Sequence, residues 1–222
     1  MLILAFDTST PLVAVAVARA GDVEREVLAE ISVTARGASE ALLPSIHAAL
    51  DIAGVKLDAV ERVLAGVGPG TFTGIRIAAS TARAIALGTG ATLAKNPTLA
   101  ALAAPALTVA PDVLAVLDAK RGEVFARRFS GGGEGEIICA KPEDLYVEGE
   151  PFIVGDGAVR YRDVLSRLGR IPPDESPLHR VTAAGHVMSA DLSPVAARKL
   201  VPIYVRQPDA EERRDLNPWS RP

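Results

Sequence analysis

The sequence predicts an α/β protein built from two similar halves. Short β-favouring runs alternate with segments whose apolar residues recur at helical spacing, and the order of these segments starts again near residue 113. An aspartate also follows the first strand of each half, Asp7 in the first and Asp118 in the second. These two residues are separated by half the length of the chain, which indicates a duplicated unit.

The first half begins with three predicted antiparallel strands, over residues 2–6, 12–18 and 23–31. Turn residues over 7–11 join the first two strands, and Gly21-Asp22 makes the next turn. The second and third strands are therefore expected to pair with their sequence neighbours.

Helical periodicity follows these strands. Apolar residues recur at helical spacing over 39–53, with Ser39 predicted as the N-cap and Gly54 as the stop. The half then continues with a strand over 62–67, a glycine-rich loop over 68–74, a helix over 75–87 that stops at Gly88, a short strand near Thr92 and a helix after Pro97. The predicted order is therefore βββαβαβα.

The second half repeats the beginning of this order. A strand over 113–117 leads into Asp118, Arg121-Gly122 makes a turn, and a return strand covers 124–129. The remaining predicted elements are a glycine turn over 131–133, a strand over 152–154 stopped by Gly155-Asp156-Gly157, and helices over 158–168 and 182–191.

A duplicated lobe of this order is the plan of the actin-like ATPase (ASKHA, RNase H-like) fold, whose members usually hold nucleotide between the lobes. We therefore predict two βββαβα-type lobes, over 1–103 and 104–207. The first is expected to carry partner-docking helices. A charged, flexible tail is predicted over 208–222, because this segment is bounded by proline and shows no apolar period.

Composition excludes several other classes of protein. A mean hydropathy of +0.24 with a formal net charge of −3 is unlike a disordered chain, and the single Cys139 excludes a disulfide framework. No run reaches the roughly 18 apolar residues of a membrane span, and the first strand lacks the features of a signal peptide. We expect a cytoplasmic location. The slightly acidic balance argues against a stand-alone nucleic-acid binder, so RNA contact should be local or made through a partner.

The glycine-rich segment between a predicted strand and helix supports two interpretations. It consists of Gly68, Pro69, Gly70, Thr71, Phe72, Thr73, Gly74, Ile75 and Arg76. Backbone N–H groups at the start of a helix are able to bind an anion, but the segment matches neither G-x-G-x-x-G nor a Walker A loop. The alternative is a tight turn in which Thr71 or Thr73 caps the helix.

The two strand-end segments predict a degenerate nucleotide site. Its residues would be Asp7, Thr8, Ser9, Asp118, Gly155 and Asp156. Aspartates at strand ends are able to hold a hydrated metal and phosphates, but Pro11 removes a donor and no glycine lies before it. The three histidines, His47, His179 and His186, lack metal-ligand spacing. We expect no metal and no required cofactor, while weak ATP or ADP binding stays open.

The first two predicted helices are rich in small apolar residues and poor in long polar ones. Such helices either cover their own sheet or present a docking surface to a partner. The residues predicted at this interface are Leu42, Leu43, Ile46, His47, Ile75, Ala79, Ala82 and Arg83.

Several segments in order resemble the TsaB (YeaZ) family, over nearly the whole chain up to about Ala210. They are residues 4–10, 40–44, 68–76, 117–125, 155–157 and 202–206. The block over 68–76 is the most specific. The sequence departs from the family pattern at Ala38, where members often have His, at Thr71, a common Ser, and at Phe125, a common Tyr.

The resemblance implies a non-catalytic subunit of the bacterial complex that adds threonylcarbamoyl to the adenosine next to the anticodon of tRNA. In this family the catalytic subunit TsaD pairs with TsaB through the two N-terminal helices, and TsaE is a third component. The resemblance therefore implies a TsaD heterodimer, tRNA contact mainly through the complex, and no membrane. An apolar helical face also predicts a homodimer when the chain is alone. The alternative is an ATP-dependent small-molecule kinase or nucleotide-binding protein of the same fold.

Overall fold

A computed structural model describes residues 1–21, 24–34, 37–131 and 133–206. It contains two sheets of five strands each. The first has the order β3-β2-β1-β4-β5, in which β1, β2 and β3 are antiparallel and β4 and β5 run parallel to β1. Its strands are β1 (Leu2–Asp7), β2 (Leu12–Ala20), β3 (Arg25–Thr34), β4 (Arg62–Gly66) and β5 (Thr92–Asn96).

Two long helices cover one face of the first sheet, α1 (Ala38–Ala53) and α2 (Phe72–Thr89). The N-cap of α1 is Gly37, so the prediction of Ser39 as the cap is wrong, whereas the stop at Gly54 is confirmed. The predicted end of the second helix at Gly88 is also wrong. Gly88 lies inside α2, which ends one residue later at Thr89, because Gly90 supplies the left-handed C-cap conformation.

The second sheet has the order β10-β6-β7-β8, with β9 also paired to β7. Its strands are β6 (Val113–Lys120), β7 (Glu123–Ser130), β8 (Gly133–Glu134), β9 (Ile138–Ala140) and β10 (Phe152–Val154). Strand β10 runs parallel to β6 as β4 runs parallel to β1, which is the predicted repeat.

The second half is a reduced copy of the first. A 3-10 turn at Pro142–Asp144 stands where the first half has α1. The predicted helix over 158–168 is two short helices, α4 (Asp156–Arg160) and α5 (Arg162–Leu165), and the helix over 182–191 is α6 (Ala183–Ser189). In the part of the chain that the structure describes, one parallel bridge between Phe152 and Arg170 replaces a counterpart of β5.

The helices that end the two halves are exchanged between the sheets. Helix α3 (Thr98–Leu107) follows β5 of the first sheet but packs on the second, while α6 packs on the first. The predicted boundary at residue 103 therefore falls within α3, and the division into lobes stays a prediction. The tail predicted over 208–222 lies outside the described residues.

A C-terminal strap, residues 195–206, connects the two halves again. Val195 bridges to Leu93 at the edge of the first sheet, and Leu200 is fully buried in the core below α2. Ile203 N donates to Val67 O at 2.7 Å, and Arg206 forms an ion pair with Glu123 of β7. No helix in the described ranges is long and apolar enough to cross a membrane.

Candidate functional site

Asp7 ends β1 and is buried, with 1% of its surface exposed. Its Oδ2 accepts hydrogen bonds from His186 Nε2 and from Thr98 Oγ1, both at 2.7 Å. Its Oδ1 accepts from the backbone N–H of Ser9 at 2.5 Å, and the Ser9 hydroxyl lies 3.0 Å from Thr98 Oγ1. These donors come from α6, from the first turn of α3 and from the turn after β1. The buried carboxylate is therefore satisfied by its own chain.

The neighbours of His186 assign its tautomer. Ser189 Oγ donates to Gly185 O at 2.8 Å, so it accepts the hydrogen bond from Asn96 Nδ2 at 2.7 Å. The second hydrogen of Asn96 Nδ2 faces His186 Nδ1 at 3.2 Å, which makes Nδ1 an acceptor. His186 Nε2 then carries the hydrogen that it donates to Asp7.

Two opposing effects act on the pKa of Asp7. Burial by itself raises this pKa, but the hydrogen bonds that His186 and Ser9 donate to the carboxylate outweigh burial. The pKa therefore lies below the ordinary value of 3.8, and Asp7 is ionised at neutral pH.

The turn after β1 offers no side chain to a nucleotide. Thr8 and Ser9 are 0% and 1% exposed, and both carboxylate oxygens of Asp7 accept hydrogen bonds from the chain itself. A hydrated metal would have to displace these donors to reach the carboxylate. The geometry thus favours a degenerate site over a working phosphate cleft at Asp7. Among the described residues no group of three His, Cys, Asp or Glu side chains is placed to hold a metal ion.

Glycines allow the loop after β4 to lie directly on this turn. A Cβ at Gly66, Gly70 or Gly74 would come within 3.0 Å of Asp7, Ser9 or Thr8 respectively, closer than real Cβ atoms approach other atoms. In addition, the N–H of Thr71 donates to Ser9 O at 2.7 Å, and the Thr8 hydroxyl donates to Gly74 O at 2.7 Å. The loop therefore packs against the aspartate turn.

The second interpretation of the glycine-rich loop matches this geometry. Thr71 is the N-cap of α2, and its hydroxyl accepts from Gly74 N at 3.3 Å. Gly68 has a left-handed φ of +90° and precedes the buried Pro69. Arg76 points to the outer surface, where its Nε donates to Tyr204 OH at 3.0 Å.

The second strand-end aspartate is also neutralised within the chain. The Asp118 side chain is 4% exposed, and its Oδ2 lies 2.8 Å from Lys120 Nζ and 3.3 Å from Arg160. Asp118 N donates to Asp156 Oδ1 at 3.0 Å. Gly155 approaches the backbone of β6 as Gly66 approaches β1. Lys120 and Arg160 therefore occupy the side of Asp118 at which the predicted site would bind a metal.

The pKa of Asp156 is shifted in the opposite direction to that of Asp7. Burial, reinforced by repulsion from Asp118, raises the pKa of Asp156, and the hydrogen bond from Asp118 N only partly offsets this. Folding thus favours the protonated form of Asp156 more than the unfolded chain does. The stability that Asp156 contributes is present below its unfolded-state pKa and is lost as pH rises through the folded-state pKa.

Asp156→Asn should therefore make the protein more stable at pH 7, because the amide keeps the acceptor for Asp118 N without a buried charge. The gain should shrink as pH falls towards the ordinary aspartate pKa. Urea unfolding at pH 7 and pH 5 measures both effects, with Asp58→Asn on an exposed turn as the control of equal charge. A variant less stable than wild type at pH 7 would contradict the role given to burial.

The structure divides the predicted interface residues into two groups. Five are buried in the chain's own core: Leu42, Ile46, Ile75, Ala79 and Ala82. Ile46 also lines a surface groove beside α1, so burial corrects the assignment of the other four to a surface. Leu43 is 60% exposed, and His47 is exposed beside Asp51 at 3.4 Å. Arg83 is exposed too, but it lies on the flank of α2 that faces the strap, where it donates to Ala197 O and Leu200 O.

The outward side of α1 and α2 nevertheless presents an apolar groove. Its volume is about 370 Å³, and its apolar lining comes from Leu43, Ile46, Leu50, Val55, Leu57 and Ile85. Leu43, which lines this groove, is 60% exposed. Apolar side chains exposed this far are typical of a surface that a partner covers. One side of these helices therefore covers the sheet, and the docking alternative for the outward side stays a prediction.

Comparisons with known proteins agree over most of the chain. Residues 27–144 match the family model of TsaD, tRNA N6-adenosine threonylcarbamoyltransferase. The chain is 31% identical to the tRNA threonylcarbamoyladenosine biosynthesis protein TsaB of Escherichia coli, covering 93% of this chain and 95% of that protein. It is 32% identical to an uncharacterized protein of Mycobacterium tuberculosis, with 94% and 93% covered.

Solved structures show the same fold. YeaZ from Pseudomonas aeruginosa superposes with a TM-score of 0.75 at 26% identity and covers 91% of this chain and 99% of its own. Component A of (R)-2-hydroxyglutaryl-CoA dehydratase from Acidaminococcus fermentans gives 0.54 at 13% identity, which shows the fold alone. The predicted actin-like fold class is confirmed.

Proposed function

Because this chain belongs to the TsaB (YeaZ) family of tRNA threonylcarbamoyladenosine biosynthesis proteins, we propose that it is the non-catalytic subunit that binds and activates TsaD. The observation that carries the proposal is the exposed apolar groove between α1 and α2. TsaE would join the pair as a third component, and tRNA would be held mainly by the assembled complex.

The closed aspartate turn supports the non-catalytic part of the proposal. A strand-end carboxylate that holds the metal of a bound nucleotide must have oxygens accessible to that metal. Here the carboxylate oxygens of Asp7 instead accept hydrogen bonds from His186, Thr98 and Ser9, and the side chain is buried from solvent. The kinase alternative requires that same carboxylate, so we do not favour it. A chain that works without a bound nucleotide fits this geometry better.

A partner of the same fold suits the groove. The TsaD family model matches residues 27–144, a range that includes both α1 and α2. A TsaD subunit would therefore carry helices equivalent to these two, and two such faces are able to pair about a pseudo-two-fold axis. By the same argument the chain alone would form a homodimer through this face, which TsaD would replace.

Leu43→Glu is expected to abolish the stimulation of TsaD. A glutamate in the centre of a covered apolar face would be buried without a partner, which costs several kcal/mol of binding free energy. Because Leu43 is 60% exposed in the free chain, the fold should be unaffected. The measurement is threonylcarbamoyl transfer to tRNA by TsaD and TsaE, with and without each variant.

Val109→Glu is the matched control. Val109 is 64% exposed and follows α3, away from the groove, so this variant should stimulate TsaD as wild type does. Ala82 is unsuitable for such a test because it is fully buried, and a charge there would disrupt the core. Full activity of Leu43→Glu, or equal losses in both variants, would argue against docking through α1 and α2.

A further inference from the structure

One face of the molecule carries basic residues without acidic ones, although the whole chain has a net charge of −3. No aspartate or glutamate occurs between Glu61 and Asp112, or between Asp191 and Asp209. These two stretches contain α2, β5 and the C-terminal strap, which lie together. Their packing concentrates positive charge in one place.

Five exposed cations define this basic face: Arg76 and Arg83 on α2, Lys95 on β5, and Arg198 and Lys199 on the strap. Hydrogen bonds to the strap hold three of them in place. Arg76 Nε donates to Tyr204 OH at 3.0 Å, Arg83 to Ala197 O and Leu200 O at 3.1 and 2.6 Å, and Lys95 Nζ to Lys199 O at 3.2 Å.

The partners of these cations leave their charge uncompensated. Every contact above is to a carbonyl or a hydroxyl oxygen. Across residues 1–21, 24–34, 37–131 and 133–206, none of the five cations forms an ion pair with a carboxylate. Elsewhere in the same ranges Arg127, Arg128 and Arg162 each have an acidic partner. The basic face is thus suited to an anionic ligand of extended shape.

Two exposed aromatic rings lie at one end of the basic face. Phe72 is 38% exposed and Tyr204 is 44% exposed, and their ring centroids are 5.5 Å apart. The Arg76 guanidinium stacks over the Phe72 ring at 3.6 Å. Cations interleaved with aromatic rings bind the backbone of an RNA strand and stack on its bases. An acidic protein would use the cations but gain less from the rings.

The basic face and the docking groove lie on opposite flanks of α2. Arg76 and Arg83 are seven residues apart and share the flank that meets the strap. Ile85, two residues after Arg83, lines the groove with α1. A partner in the groove would therefore leave the basic face open beside it.

We propose that the basic face contacts the phosphate backbone of RNA directly, so that this chain contributes to the tRNA-binding surface of the complex. This inference rests on the proposed function, which supplies tRNA as the nucleic acid. The chain would bind RNA weakly alone, since its contact is local and its net charge is negative.

The test compares two double variants with equal charge change. Arg198→Glu with Lys199→Glu alters two exposed side chains that form no hydrogen bond or ion pair among the described residues, so the fold should persist. Lys141→Glu with Arg180→Glu is the control, at exposed positions beside elements that pack on the second sheet. Each is mixed with TsaD and TsaE, and the binding of fluorescently labelled tRNA is measured by anisotropy at several salt concentrations.

The basic-face variant should still co-elute with TsaD but bind tRNA about tenfold more weakly, with a salt dependence of log K reduced by about two. The control should bind as wild type does. Unchanged tRNA binding, or equal losses in both variants, would overturn the inference. The inference would also fail if the basic-face variant no longer bound TsaE but kept its affinity for tRNA. If wild type fails to co-elute with TsaD, the proposed function fails instead, and the same comparison on the chain alone at low salt decides the RNA contact.

Discussion

Replacing His186 with leucine should destabilise the protein by about 3–5 kcal/mol, because it leaves the buried carboxylate of Asp7 without its main donor. His186 is fully buried and donates to Asp7 Oδ2 at 2.7 Å, and it also accepts from Asn96. Its loss would loosen α6 from the first sheet. The expected result is a large fall in the urea midpoint.

A second substitution separates the buried charge from simple packing. In the His186→Leu background, Asp7→Asn should recover part of the lost stability, because no buried charge then remains. Additive losses in the double variant would contradict the pairing.

The acid limb of the stability curve tests the same pair. Since the pKa of Asp7 is lowered in the folded state, its stabilisation is present above the ordinary value of 3.8 and is lost as pH falls through the folded value. Wild type should therefore lose stability more steeply than Asp7→Asn below about pH 4.

Gly74→Ala should destabilise the protein by about 2–3 kcal/mol, because its Cβ would collide with the backbone of Thr8. Gly74 lies in the first turn of α2, so relief of the collision would also shift the start of this helix. A glycine needed only for phosphate binding would tolerate alanine without loss of stability.

Gly88→Ala in the same helix is the matched control. A Cβ at Gly88 would meet no atom within 4 Å, so alanine should stabilise α2 by about 0.5–1 kcal/mol. Urea unfolding of both variants gives the comparison. Equal midpoints for Gly74→Ala and wild type would contradict the packing role of the loop.

Local patterns in the sequence predict most of the first half. Strand order, the helix over 39–53 and the stop at Gly54 follow from period and turn residues, and the structure confirms them. The second half is harder, because its helices are short and a 3-10 turn stands where α1 would be expected. The apolar period there is too brief to define boundaries.

The aspartate cluster shows what a sequence cannot supply. Asp7 is found from its place after a strand, but His186 lies 179 residues away and shares no spacing motif with it. The sequence alone indicates only that His186 lacks a histidine partner at metal-ligand spacing. Its role depends on the exchange of α3 and α6 between the sheets, a long-range feature that brings Thr98 and His186 to the same carboxylate.

Burial explains why most of the predicted interface residues on α1 and α2 lie in the core. Apolar residues at helical spacing mark the side of a helix that packs on its own sheet. This pattern therefore selects core residues such as Leu42, Ala79 and Ala82. Leu43, which lines the exposed groove, lies outside this pattern.

These features describe an actin-like fold in which both strand-end aspartates are occupied by the chain's own donors. The contacts of Asp7 and of the turn after it instead join α3, α6 and the start of α2. A fixed start for α2 gives the outer groove a defined shape, which suits a subunit that acts by docking.

The most direct test of this account is the mass of the chain, TsaD and their mixture by size-exclusion chromatography with light scattering. The account predicts a one-to-one complex with TsaD that Leu43→Glu abolishes and Val109→Glu preserves. Two unshifted peaks for wild type with TsaD, in the presence and absence of TsaE and ATP, would contradict it.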